Sequence, residues 1–124
     1  MTHPGLEERY RKYIDAVNSG RLPEAAEFYH DQIQCNDKIF SRADFTNKIL
    51  GFFSILMPDG QIEISNIVVD GDHLAARLLG TGTLAREWKG LKPGGDPVTF
   101  AEHAFYQLRD GRVAAVWSVV DLVG

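Results

Sequence analysis

The sequence predicts an α+β fold with its helices first and its strands last, and two observations carry that prediction. Up to about residue 56 apolar residues recur at helical spacing, whereas from about residue 61 onward they alternate with polar ones. The order of elements is the second observation. Helices gathered at the front of a chain cannot serve as crossovers between later strands, which excludes a doubly wound parallel sheet. The strands are expected to form a curved, mainly antiparallel sheet around the N-terminal helices, in the order α-α-β-α-β-β-β-β.

Each element has its own signal. Between Pro4 and Ser19, the residues Leu6, Tyr10, Tyr13, Ile14 and Val17 lie on one helical face, with Glu7, Glu8, Arg11, Lys12 and Asp15 opposite, and Gly20 is the expected stop. Pro23 opens a second helix through Tyr29, as proline suits a first helical turn. Ile33, Cys35 and Asp37 alternate with Gln34 and Asn36, so a short strand ends on a carboxylate. Ser41 with Asp44 reads as a helix N-cap, followed by Phe45, Ile49, Phe52, Phe53 and Leu56. Pro58-Asp59-Gly60 ends that helix. Strands at about 61–70, 73–87, 98–109 and 112–121 follow, joined at Asp70-Gly71-Asp72, by a loop from Trp88 to Pro97, and at Asp110-Gly111.

Composition bounds the function. With 124 residues, 44% hydrophobic and 24% charged, residues 1–124 are expected to form a single domain. The net charge of −4 and the scatter of the thirteen Lys and Arg argue against nucleic acid. No apolar run approaches the ~20 residues of a membrane span, and Met1 to Glu8 lacks the features of a signal peptide, so a cytoplasmic protein without membrane attachment is expected. Cys35 is the sole cysteine, and its neighbours Gln34 and Asn36 offer no activating cation, so it reads as a core residue. His3, His30 and His73 do not fall at metal-ligand spacing, and Gly94-Gly95 does not join a strand to a helix, so neither a metal nor a phosphate cradle is expected.

Several side chains could carry chemistry. Tyr13 on the first helix, Tyr29 after it and Asp37 on the first strand are placed to close a polar-tipped pocket between helix and sheet. Asp121 ends a row of Val113, Ala115, Trp117 and Val119, where desolvation would raise a carboxylate into the range of a useful acid or base. Glu102 and His103 lie on opposite faces of their strand, and the hairpin decides which one accompanies Asp121. A two-residue turn at Asp110-Gly111 sets Arg109 against Arg112 and places Glu102, Ala104 and Tyr106 with Trp117 and Asp121. A three-residue loop with a bulge slips the register by one and brings His103 instead. Trp88 could cover the pocket mouth.

The helix ending in Asn18-Ser19-Gly20, the Phe28-Tyr29 segment, Gly80-Thr81-Gly82-Thr83, and above all the runs from Glu102 to Val113 and from Val116 to Asp121 resemble the SnoaL-like polyketide cyclases. Those proteins belong to the NTF2-like superfamily, a cone-shaped α+β roll (cystatin-like) that also holds ketosteroid isomerase, limonene epoxide hydrolase and scytalone dehydratase. The resemblance implies the fold more firmly than the reaction, because this cone hosts many chemistries and plain binding. By analogy with ketosteroid isomerase, Tyr13 takes the place of the oxyanion tyrosine, Asp37 that of the general base, Tyr29 that of a supporting tyrosine and Trp117 that of a pocket tryptophan. That enzyme's second carboxyl donor falls on Ala104, which counts against simple steroid isomerisation. The limonene hydrolase pair falls on Leu78 and Gly80, leaving only Asp121, which counts against epoxide hydrolysis. The isomerase comparison favours the register with Glu102 inside, and the histidine–aspartate pair of the cyclases favours His103.

Two functions follow from the resemblance. One is a cofactor-free cyclase or isomerase moving protons beside a carbonyl of a small hydrophobic metabolite, with Asp121, His103, Asp37 and Tyr13 catalytic and Tyr29, Phe53, Trp88, Glu102, Tyr106 and Trp117 contacting the substrate. The other is a non-catalytic binding protein or scaffold. Both come with a homodimer through the outer sheet face, which the superfamily commonly uses and which the apolar residues on both faces of the last two strands suit.

Overall fold

The computed structural model describes residues 5–123; His3 and the start of the first expected helix at Pro4 lie outside them. Helix α1 (Leu6–Asn18) buries Leu6, Tyr10, Tyr13, Ile14 and Val17, the face expected from their spacing. Gly20, at φ +74°, lets the chain leave the helix. Asn18 fixes the end of α1 to the sheet, its side-chain amide donating to the Ile62 carbonyl at 2.8 Å and its oxygen accepting from the Ile62 N–H at 2.7 Å.

Helix α2 (Leu22–Ala26) is shorter than expected, and Tyr29 lies on a strand rather than a helix. The Val113 N–H donates to the Phe28 carbonyl at 2.9 Å, which draws the next residue into the sheet. Strand β1 (Tyr29–Cys35) then turns at Asn36 and Asp37 into β2 (Lys38–Ser41), a strand absent from the expected order and too short to show alternation in sequence. Ser41 caps the following helix as expected, its Oγ accepting from the Asp44 N–H at 3.1 Å. That third helical stretch has three parts: α3 (Arg42–Phe45), a π-helical turn over Thr46–Leu50, and α4 (Gly51–Leu56).

The remaining strands are β3 (Gln61–Asp70), β4 (His73–Gly82), β5 (Val98–Arg109) and β6 (Arg112–Val123). Strand β4 ends earlier than expected because the chain beyond it is drawn to the end of α4. Thr83 N–H donates to Asp59 Oδ1 and Ala85 N–H to the Leu56 carbonyl, both at 2.8 Å. The six strands form one sheet in the order β2-β1-β6-β5-β4-β3, antiparallel throughout except for the β1–β6 pair. Bulges at Ser65 in β3 and Ala114 in β6 bend it around α1.

The main core lies between α1 and the concave face, where Tyr10, Ile33, Leu74 and Val113 are almost wholly buried. Each such aliphatic side chain contributes about 1.5–3 kcal/mol. A smaller cluster of Leu56, Met57, Leu84 and Phe100 closes the other end. Gly80 is required there. The tip of the Phe100 ring lies over it, and a Cβ at that position would sit 2.1 Å from the ring.

Candidate active site

A cavity of about 230 Å³ opens between α1, the third helical stretch and the concave face of β5 and β6. Its inner end is tyrosine-rich. Tyr13 comes from the buried stripe of α1, Tyr29 from the start of β1 and Tyr106 from β5, and with Tyr10 beside them they are all four tyrosines of the chain. The hydroxyls pair, Tyr13 with Tyr29 at 2.6 Å and Tyr10 with Tyr106 at 2.9 Å. Burial pushes every one of these phenols above its ordinary pKa, and the nearby Glu102 charge adds to the effect, so they remain protonated donors at neutral pH.

Glu102 projects into the cavity from β5 between Leu78 of β4 and Val120 of β6. Burial raises its pKa above the usual carboxylate value, and a hydrogen bond with the Ser118 side chain opposes the shift. Among the described residues lining the cavity it is the only carboxyl, and none of them is Lys, Arg or His. Cys35, expected to be a core residue, also faces this space half-buried, and burial followed by the Glu102 charge pushes its thiol up, away from a reactive thiolate.

The mouth is apolar. Ile49 and Phe52 line the cavity while remaining 38% and 48% exposed. Trp88 and Phe53 pack edge-on against Phe100, with ring centroids 5.7 and 5.8 Å apart. Trp88 is held by a tight turn in which it exchanges backbone hydrogen bonds with Leu91, both 2.9 Å, across Lys89 and Gly90 at positive φ.

The cavity thus gathers Tyr13, Tyr29, Phe53, Trp88, Glu102 and Tyr106 from the expected site residues, and leaves Asp37, His103, Trp117 and Asp121 outside. Asp37 is exposed in the β1–β2 turn, because Asn36 adopts φ +55° and reverses the chain before the strand reaches it. The other three are placed by one residue. Asp110 and Gly111, both at positive φ, make the two-residue turn, and Arg109 faces Arg112. Ala114 then has no partner, and every later pair shifts by one. Inside, Tyr106 faces Val116, Ala104 faces Ser118 and Glu102 faces Val120; outside, Phe105 faces Trp117, His103 faces Val119 and Ala101 faces Asp121. The hairpin combines the turn of one expected register with the pairing of the other. His103 and Asp121 do share a face with Trp117, but it is the convex one.

Sequence reasoning missed Ser118, because its neighbours Trp117 and Val119 continue an apolar row that begins at Val113. The one signal of a switch is the small pair Ala114-Ala115, where a bulge displaces little side-chain volume.

A model of the SnoaL-like polyketide cyclase family matches residues 7–124. The crystal structure of a SnoaL-like polyketide cyclase from Agrobacterium tumefaciens is 30% identical, covers 90% of this chain and 87% of its own, and superposes with a TM-score of 0.81. AclR from Streptomyces galilaeus, a proposed hydroxylase, is 26% identical over 88% of this chain and 83% of its own, with a TM-score of 0.72. A proposed ketosteroid isomerase from Kribbella flavida shares the fold at 20% identity, covering 93% of this chain and 76% of its own with a TM-score of 0.66. No curated protein matches the chain. No helix among the described residues is long and apolar enough to cross a membrane. The family match over nearly the whole length, joined to the 30% identity with the Agrobacterium structure, establishes that the chain belongs to the SnoaL-like polyketide cyclase family.

Proposed function

We propose that this protein is a cofactor-free enzyme that moves a proton at the carbon next to a carbonyl in a small hydrophobic metabolite, opening the way to a double-bond shift or an aldol ring closure. One observation carries the reading: a single sheltered carboxyl, Glu102, shares an apolar cavity with protonated tyrosines. In its carboxylate form Glu102 takes the α-proton, and the electron pair moves onto the carbonyl oxygen. If Tyr29 donates to Tyr13 across their 2.6 Å contact, the Tyr13 hydroxyl is free to donate to that oxygen. Donors fixed in an apolar, water-poor space stabilise such charge more than solvent does. The Glu102 acid then returns its proton, to carbon in an isomerisation or to the new alkoxide after an aldol closure. A raised carboxylate pKa suits both halves, since a group poised nearer neutral pH gives and takes protons at comparable cost.

The test is hydrogen–deuterium exchange at the α-carbon of a bicyclic ketone such as 2-tetralone, followed by NMR with the purified protein. Glu102→Gln is expected to lower the protein-catalysed exchange ~10²–10⁴-fold, the usual range for loss of a general acid–base group. Exchange unchanged in that variant sinks the role.

A second reading, binding without turnover, draws on the pairing of the tyrosines with each other and on the absence of a second carboxyl or imidazole among the cavity-lining residues. Tight ketone binding with no exchange above background would favour it. For either reading the partner on the convex face is a second copy of the chain, supported by the exposure there of Val119 at 63%, Phe105 at 45% and Trp117 at 37%.

A further inference from the structure

We infer that the cavity takes an uncharged carbonyl compound of one or two fused rings and refuses the corresponding carboxylate. The inference rests on the proton-transfer reading for the choice of site, and goes beyond it in the charge and size of the ligand.

Charge is limited by what faces the cavity. Leu78 and Val120 flank Glu102, and no cationic side chain among the described residues lines the space. An anionic ligand entering here loses its hydration, meets no counter-charge and is repelled by Glu102 whenever that group is ionised. The available polar groups suit a neutral acceptor instead. In the Tyr13–Tyr29 and Tyr10–Tyr106 pairs one hydroxyl donates to the other, which leaves one proton per pair to offer a carbonyl oxygen, and Glu102 in its acid form can donate another. A protonated amine meets a single carboxyl in a lining that is otherwise apolar or hydroxyl-bearing, and so recovers only part of the hydration it loses.

Size is limited by the walls. About 230 Å³ lies below the ~300 Å³ at which pockets for drug-sized ligands begin. Phe53 and Trp88 each pack against Phe100 at the mouth, and the Tyr10–Tyr106 and Tyr13–Tyr29 pairs close the far end, so the sheltered part of the cavity has no room to lengthen.

Three naphthalenes of one shape and different charge test this by calorimetric titration of the full chain at pH 8: 2-acetylnaphthalene, 2-naphthoate and 2-naphthylmethylamine. The ketone is expected to bind at least tenfold more tightly than the naphthoate. In Glu102→Gln the naphthoate should gain severalfold relative to the ketone. Naphthoate binding as tightly as the ketone, or the amine binding most tightly of the three, overturns the charge assignment; failure of all three to bind overturns the size assignment. Should the variant not fold, the ratio on the unaltered protein decides. Naphthoate binding with ketone exchange intact sinks this inference alone, whereas ketone binding without exchange sinks the proton-transfer reading and leaves this one standing.

Discussion

The two faces of the β5–β6 ribbon are close in composition and opposite in setting. The concave face carries Glu102, Tyr106, Val116 and Ser118, and the convex face His103, Phe105, Trp117 and Val119. Each has an ionisable group, at least one aromatic residue and a valine, so side-chain type does not tell them apart. What differs is the cover: α1 and the third helical stretch roof the concave face, so Tyr106 is buried and Glu102 sheltered, while the convex residues stay exposed within one chain. A site in this fold is therefore made by whatever faces the helices, and the allocation is set by one unpaired residue, Ala114.

Pairing that residue is the severest way to break the comparison. Inserting one residue between Gln107 and Leu108 would set it opposite Ala114, restore an unbroken register, turn His103, Trp117, Val119 and Asp121 inward and send Glu102, Val116, Ser118 and Val120 out. The result is a bulky indole and a carboxylate under α1, a burden of about 4 kcal/mol or more, in the range that unfolds marginal domains. Circular dichroism should show no cooperative thermal transition. A variant that melts like the parent would mean that the bulge does not set the faces.

Point substitutions sharpen the same contrast. Asp121→Asn and His103→Gln, both on the convex face, should change ketone exchange by less than about twofold, against the ~10²–10⁴-fold loss in Glu102→Gln. A loss of that size in either convex variant would move the chemistry to the other face. For the proposed dimer, Val119→Asp sets a charge in the middle of the exposed apolar row and should weaken self-association at least tenfold in sedimentation equilibrium. Monomers with unchanged unfolding midpoints are expected, because Val119 contributes little to the core of one chain.

These contrasts also explain what the sequence disclosed. Helix α1 was legible because five apolar residues at helical spacing leave one solution, and the late strands because turn residues punctuate a period of two. Strand β2 was not, since Lys38-Ile39-Phe40-Ser41 is shorter than the pattern that identifies a strand. Tyr13, Tyr29 and Tyr106 were named from sequence and line the cavity, whereas Asp121 and His103 were placed by a register that a bulge altered. A bulge is a backbone event with no required residue type, and Ala114 announces it only by being small.

Gly80 tests the mouth of the concave side. Gly80→Ala forces the Phe100 ring away from β4, and because Phe53 and Trp88 pack against that ring it can move only by displacing them or entering the cavity. The expected cost is about 1–3 kcal/mol in chemical denaturation, as for other overpacked cores. Ketone affinity should fall with it. Weakened binding at full stability would mean that the ring swings into the cavity without strain.

The smallest effect is the dependence of stability on pH. Burial raises the pKa of Glu102 in the folded chain, so between the ordinary carboxylate value and the raised one the native state binds more protons than the unfolded state. Stability falls with rising pH wherever that is so. Below the ordinary value both states are protonated and the acid is retained without penalty; above the raised value both are ionised and the penalty is complete. Glu102→Gln is neutral throughout and escapes it. Melting temperature should therefore rise in the variant relative to the parent on going from pH 4 to pH 8, and because every other titrating group is common to both proteins, the difference isolates this one. The Ser118 hydrogen bond opposes the shift. A difference independent of pH would mean that the carboxylate is solvated as well inside the cavity as outside it, and the face that α1 covers would then differ from the convex one in shape alone.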